Sequence, residues 1–229
     1  MRTHGELTAV IPTLNAAESL PITLNALAGA VSRLIIADGG STDATRAIAA
    51  AGGAQVVDAP RGRGSQLAAG TAAADTPWLL VIHADTRPGP DWQAAAAAFM
   101  ADPANAGRAG YFRFLLDDAA PQARRLERAV AWRCRALGLP YGDQGLLIRR
   151  DTLAEAGGFR PIPIMEDVDL ARRLGRRRLV GLDAGFVTSA ARWRAEGWWA
   201  RSARNLSCLA LWFAGVPPAR IARLYARRR

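Results

Sequence analysis

The sequence predicts an α/β fold built on a mostly parallel central sheet. Three observations carry that prediction. Short apolar runs of strand length recur through the first 90 residues. Each is followed by a segment with helical spacing of its apolar residues. The connections are short and rich in Gly, Pro, Asn and Asp. Strands that return in one direction through helices are covered on both faces, so they read as near-continuous apolar runs.

The elements follow in order. "ELTAVIPTLN" is a buried strand from Leu7 to Thr13, closed by Pro12 and Asn15. "NAAESLPITLNALAGA" is a helix that Asn15 can cap, with Glu18 at the capping-box spacing. "SRLIIAD" is a second strand ending at Asp38, and "GGSTDATRAIAAAGG" is a turn and a short helix in which Asp43 suits the cap. "AQVVDAP" is the third strand, "RGRGSQLAAGTAAA" a glycine-rich loop entering a helix, and "WLLVIHAD" the fourth strand, with a turn after it. The second half is less regular. "DWQAAAAAFMA" is a helix, "AGYFRFLL" a strand and "PQARRLERAVAWRCRALG" a basic amphipathic helix. "YGDQGLLIRR" is a loop and strand, and "DTLAEAGGF" a short helix with a glycine stop. A helix begins near Glu166 or Asp167, "RLVGLD" and "FVTSAARW" are two short strands, and the tail is two helices broken at Pro217 and Pro218. No internal repeat or long linker divides the chain. The expected organisation is one main domain over 1–190, in two halves at 1–100 and 101–190. A basic helical extension over 191–229 packs on it.

Composition supports a buried core: of 229 residues half are apolar and 22% charged. No signal-peptide pattern and no apolar run of about 20 residues is present, so the expected location is cytoplasmic. Cys134 and Cys208 lack metal-ligand spacing and are expected to be buried free thiols. The net charge of +10 is unevenly spread: residues 1–169 hold 16 Arg against 18 acids, and residues 170–229 hold 14 Arg against Asp183 and Glu196. A GC-rich codon bias on a solvated surface, a site for phosphate-bearing ligands and contact with an anionic membrane all fit that excess. A nucleic-acid partner does not, because the arginines form no recognisable motif and the acidic strand ends would repel phosphate.

Ligands of such sheets bind beyond the carboxyl ends of the strands. Thr13, Asp38, Arg61 to Gly64 and Asp85 all fall at that edge. Asp38 suits either a ribose or base contact or an Asx turn. "RGRGSQ" places backbone and arginines before a helix N-terminus, as phosphate requires, but it is neither GxGxxG nor a P-loop. Asp85 is either a turn residue or the single carboxylate that a divalent ion needs when a diphosphate supplies its other ligands. His83, two residues back, is expected on the same strand face. In "MEDVD", Glu166 and Asp167 are helix-start acids favoured by the dipole, or a general base with its support.

"VIPTLNAAESL", "IIADGGSTDAT", "VIHADT", "GDQG" and "MEDVDLARRL" resemble, in order, the motifs of family-2 glycosyltransferases of the GT-A fold. "GDQGLLIRR" and "TSAARW" are similar to a bacterial subgroup associated with radical-SAM and selenium-related gene clusters. The resemblance implies a nucleotide-sugar donor, a divalent metal (Mg²⁺ or Mn²⁺) and inversion at the anomeric carbon. It implies nucleotide contacts from Pro12, Thr13, Asn15, Glu18, Asp38, Gly39, Arg61, Arg63 and Asp85. It makes Asp85 the metal-binding acid, with His83 where the family has the first acid of its DxD motif. It makes Asp167 the catalytic base, supported by Glu166, and sets Gly142, Asp143, Gln144, Arg192 and Trp193 around the donor sugar or acceptor. The acceptor is left unnamed. "NLSCLALWFAG", flanked by arginines and by Trp198 and Trp199, fits an interfacial helix near an acidic leaflet, and so a lipid-linked acceptor.

Overall fold

The computed structural model describes residues 6–226; the outer ends of the two expected segments, 1–5 and 227–229, lie outside the described residues. Its centre is one eight-stranded sheet. The strands are β1 (Leu7–Thr13), β2 (Arg33–Asp38), β3 (Gln55–Asp58), β4 (Trp78–Val81), β5 (Thr86–Pro88), β6 (Ala109–Leu116), β7 (Leu146–Arg149) and β8 (Leu179–Thr188). Their spatial order is β3-β2-β1-β4-β7-β6-β8-β5. The first four strands are parallel, as their apolar runs and intervening helices require. β7 then runs antiparallel between β4 and β6, β8 lies parallel to β6, and β5 closes the edge antiparallel to β8.

Helices α1 (Leu20–Leu27), α2 (Thr45–Ala51) and α4 (Trp92–Ala101) cover one face. On the other lie α3 (Arg63–Ala72), α6 (Arg150–Glu155) and α7 (Glu166–Leu174). The strand pleat feeds both layers. Ala9 and Ile11 pack towards α1, Val10 packs towards α3, and Ile36 and Ile35 divide in the same way. Each fully buried Val or Ile side chain here contributes about 1.5–3 kcal/mol of burial free energy. Pro12 lies inside β1 without cost to the ladder, because its neighbour β4 has ended at Val81, opposite Val10. Cys134, on α5 (Pro121–Leu137), and Cys208 are buried free thiols.

Several sequence expectations are corrected. Asn15 does not cap α1, which begins five residues later at Leu20; Asn15 adopts a left-handed conformation (φ 50°), and its side chain bonds across to the next loop. β5 was expected to be turn, since three residues containing Pro88 give no period to read. "RLVGLD" and "FVTSAARW" form not two strands but one ten-residue strand, β8, ending at Thr188. Arg192 and Trp193 therefore sit on a helix, α8 (Ala191–Glu196). His83 lies beyond the end of β4, in a turn where its carbonyl accepts from the Thr86 N–H at 3.2 Å, so strand alternation does not relate it to Asp85.

After α8 come α9 (Trp198–Phe213) and α10 (Pro218–Ala226). Cys208, Leu209 and Ile221 pack on Leu139, Ile164, Met165 and Val168, seating this pair over the start of α7. The outward face of α9 is apolar: Trp199, Ala203, Leu206, Ala210 and Phe213, spaced four and three apart, are all exposed. Among the described residues no helix is long and apolar enough to cross a membrane.

Candidate active site

The loops after β1 and β2 are laced together. Asn15 Oδ1 accepts from Thr42 N–H at 2.9 Å, Asn15 N–H donates to Ser41 Oγ at 2.9 Å, and Ala17 N–H donates to Asp43 Oδ2 at 3.1 Å. Asp43 also accepts from Thr45 N–H at 3.0 Å, satisfying a donor at the start of α2 as a cap would. Asp38, for which a ribose or base contact and an Asx turn were both expected, makes the bonds of the turn in this structure. Its fully buried carboxylate accepts from Thr13 Oγ1 (3.0 Å), Ser41 Oγ (2.5 Å), Gly40 N–H (3.1 Å) and Ser41 N–H (2.9 Å), and meets Arg46 at 3.4 Å. These donors outweigh desolvation and hold its carboxyl below the usual range. Gln66, which sequence reasoning passed over, braces the same edge by donating to the carbonyls of Thr13 (2.6 Å) and Ala37 (3.0 Å). Gly39 lies against that side chain: a Cβ there would meet it at 3.0 Å. Glu18 and Arg61 are exposed on the rim.

A cleft of about 130 Å³ opens where β4 and β8 end. It brings together Arg63, His83, Asp85, Gly142, Asp143, Asp167, Arg192 and Trp193 from five separate segments. Pro12, Thr13, Asn15, Glu18, Asp38, Gly39 and Arg61 lie outside its lining, and so does Gln144. Asp85 directly precedes β5, and its carbonyl accepts from Ser189 N–H at 3.3 Å. That pairing brings the start of α8 to it, and Arg192 Nη2 stands 3.6 Å from its carboxylate.

Glycines here are required by close approach. A Cβ on Gly142 would lie 2.4 Å from His83 Nε2, and the Gly142 N–H donates to Asp167 Oδ2 at 3.0 Å. One backbone position thus sets both the imidazole and the acid. Gly64, within the "RGRG" segment expected to suit phosphate, is packed closely against backbone. A Cβ there would meet the Arg160 carbonyl at 2.2 Å, and the Gly64 N–H donates to the Ile162 carbonyl at 3.2 Å. This contact docks the segment leading into α7 and puts Arg63 Nε 3.0 Å from Glu166 Oε1. Glu166 is therefore a buried partner of Arg63 and is absent from the cleft lining. Burial pushes its carboxyl upward against the pull of Arg63, which Glu166 and then Asp167 hold firmly protonated. Gln144 is also turned inward. It donates to the Phe112 carbonyl at 3.0 Å and accepts from Tyr141 N–H at 3.2 Å. Its side chain braces the loop and stands outside the cleft lining.

His83 Nε2 lies 3.4 Å from Arg63 Nη1. Enclosure first, and the Arg63 charge second, lower its pKa to about 4, so the ring is neutral and presents Nε2 to the guanidinium. Among the described residues no three His, Cys, Asp or Glu side chains cluster as a self-sufficient metal site. Asp85 is the accessible carboxylate with only a loose ionic contact. It fits a divalent ion shared with a diphosphate, which needs one or two protein acids.

Asp143 is raised to about 6, chiefly by burial, with Asp167 and Asp85 adding to the rise and Arg133 opposing it. Its protonated form is thus favoured by folding. The resulting stability is full below about pH 4 and is lost as pH rises through about 6. Asp143→Asn is expected to match the wild type in urea melts at pH 4 and to exceed it at pH 8. A pH-independent difference would contradict this assignment.

A further wall of the cleft includes residues the sequence did not single out: Arg201, Asn205 and Tyr225 join Arg192 and Trp193. The signal that could have found them is the i, i+4, i+7 spacing of Arg201, Asn205 and Cys208 on one face of α9.

A half-parallel sheet flanked by helices, with a cleft lined by acids and arginines at the carboxyl ends of its strands, is the architecture of GT-A glycosyltransferases. The comparisons agree. Glucosyl-3-phosphoglycerate synthase from Mycobacterium tuberculosis, solved with Mn²⁺, UDP and glucosyl-3-phosphoglycerate, superposes with a TM-score of 0.57 at 22% identity, over 79% of this chain and 71% of that one. S. aureus TarS (residues 1–349) gives 0.62 at 15% identity, over 81% and 60%. The Glycosyl transferase family 2 model matches residues 8–154, and the chain belongs to that family. An uncharacterized glycosyltransferase of Mycobacterium tuberculosis (strain H37Rv) is 49% identical over 80 residues, and one of Mycobacterium bovis matches equally. That match spans about a third of each chain, 34% of this one and 36% of the relative.

Proposed function

We propose that this protein transfers a sugar, with inversion, from a UDP- or GDP-linked donor to an acceptor hydroxyl. The observation that carries the reading is the convergence of Asp85, Asp167, Arg63 and Arg192 on one cleft. Asp167 is the general base. Its Oδ2 is aimed by the Gly142 N–H, and its Oδ1 accepts from Val168 N–H at 2.7 Å. It takes the acceptor's proton as the acceptor oxygen attacks the anomeric carbon from the face opposite the diphosphate. Arg63 and Arg192 balance the negative charge that develops on the leaving diphosphate. Glu166 positions Arg63. The laced loops around Asn15 and Asp38 hold the nucleoside against the rim, with Asp38 shaping the turn. A bound Mg²⁺ or Mn²⁺ on Asp85 would add electrostatic stabilisation of the leaving group. The Mn²⁺ and UDP-glucose bound by the mycobacterial synthase support that choice of cofactor and donor class.

Thermal-shift titration with UDP- and GDP-sugars, with and without Mn²⁺, tests the reading. Metal-dependent stabilisation and release of nucleoside diphosphate are expected. No stabilisation by any donor would sink it, and release of pyrophosphate would mean nucleotidyl transfer instead. Asp85→Asn is expected to raise the Mn²⁺ concentration for half-maximal stabilisation more than about tenfold, and His83→Gln less than about threefold, because His83 faces Arg63. A larger effect at His83 would restore it as a ligand.

The apolar outward stripe of α9 and the exposed Arg220 and Arg223 on α10 support peripheral contact with an anionic inner membrane face. Leu206→Glu is expected to abolish co-sedimentation with phosphatidylglycerol vesicles while phosphatidylcholine vesicles bind neither form. A stripe-dependent dimer with no vesicle binding would refute membrane contact.

A further inference from the structure

The inner face of α9 bears on the chemistry of the acceptor. Arg201 is 5% exposed, donates through Nη1 to Glu196 at 2.6 Å, and lies with its guanidinium carbon 4.7 Å from the Trp193 ring centre. Despite these contacts, Arg201 Nε and Trp193 Nε1 are buried and have no hydrogen-bond acceptor. Both residues line the cleft, as does Asn205 one turn along. Two buried donors left without acceptors beside a cleft call for an explanation, since native proteins rarely leave such groups unmet. Glu196 supplies one carboxylate to the two guanidiniums of Arg201 and Arg204, so this wall stays basic.

The wall lies on the acceptor side. α9 packs through Cys208 and Leu209 on Met165 and Val168, the residues that bracket the Glu166–Asp167 pair. The diphosphate end is marked instead by Asp85 and Arg192. The floor on this side carries two acids, Asp143 and Asp167. An anion entering the cleft is repelled by the floor and held by the wall, which leaves its hydroxyl directed at Asp167.

We propose that Arg201, Trp193 and Asn205 form an oxyanion subsite, and that the acceptor is an alcohol carrying a phosphate or carboxylate. The proposal rests on the glycosyltransferase reading and names its acceptor class. All three residues lie beyond the family-matched segment, residues 8–154, so the subsite belongs to this chain's own C-terminal helices.

The test is calorimetric titration of the full chain loaded with UDP and Mn²⁺, or GDP and Mn²⁺. The probes are glycerol 3-phosphate, glycerate and glycerol, with phosphatidylglycerol and phosphatidylcholine vesicles as separate arms. At least one anionic probe is expected to saturate at concentrations at least about tenfold below glycerol. Asn205→Asp, which adds a like charge without changing size, is expected to weaken that binding at least about tenfold. Arg201→Lys, which keeps the charge but removes Nε, is expected to weaken it too. Preference for phosphatidylglycerol vesicles alone, with the same Asn205→Asp loss, assigns the anion to a lipid headgroup. Equal or absent binding of charged and neutral probes, or anion binding indifferent to Asn205→Asp, would overturn the subsite. Failure of the nucleotide loading step itself would instead count against the glycosyltransferase reading.

Discussion

Asp167→Asn is expected to lower turnover by about 10²–10⁴-fold while leaving donor binding in place. The magnitude follows from the role: a general base removes a proton in the transition state, and an amide cannot accept it. The selectivity follows from geometry. Asp167 meets the Gly142 and Val168 N–H groups through its two oxygens, and an asparagine Oδ1 keeps one of those bonds while the loss of the other costs about 1–3 kcal/mol of stability. Nucleoside diphosphate release in single-turnover experiments gives the chemical step, and thermal shift with donor gives binding. Turnover within about tenfold of the wild type would remove Asp167 from the base role and turn attention to Asp143, which lines the same cleft.

Gly64→Ala is expected to destabilise the protein by about 3 kcal/mol and to impair activity together with stability. The added methyl would lie 2.2 Å from the Arg160 carbonyl and 2.5 Å from that of Ile162, and backbone cannot swing aside as a side chain can. Relief requires the segment before α7 to lift from α3. That movement also parts Arg63 from Glu166 and shifts Asp167. Gly107→Ala is the matched control: it meets nothing within 4 Å and should change the urea midpoint little. Similar midpoints for both variants would show that the docking of this segment contributes little.

The first half of the fold was legible because its strands are apolar runs bounded by Gly, Pro, Asn and Asp, and its helices carry a period. The second half was not. β8 holds Gly181, Asp183 and Gly185 in its course, which breaks the apolar run and made one strand read as two. β5 is too short to show a period at all. At the site, Asp85, Asp167, Gly142 and Asp143 could be named from the sequence, and they share a cleft in the structure. The task of Asp38 could not be read, since an Asx turn and a ribose contact ask for the same residue in the same place. Glu166 and Gln144 likewise look accessible beside Asp167 and Asp143, and only tertiary packing turns them inward. The α9 wall escaped notice because its three cleft residues are scattered among the outward apolar ones on a single helix.

Met165, immediately before the acid pair, stands at φ 68°. Asparagine tolerates that region, as Asn15 does, but an unbranched apolar side chain enters it at a cost of about 1–3 kcal/mol. Glycine would remove the strain and also the side chain, which is buried against Cys208, Leu209 and Ile221. The turn is therefore a spring held shut by the C-terminal helices. Loosening α9 or α10 would let Met165 relax and swing Asp167 off line without touching any residue of the cleft floor. The tail and Asp167 are in this sense one mechanical unit, and on the proposed role of Asp167 damage to the first should be read as lost turnover before it is read as lost fold.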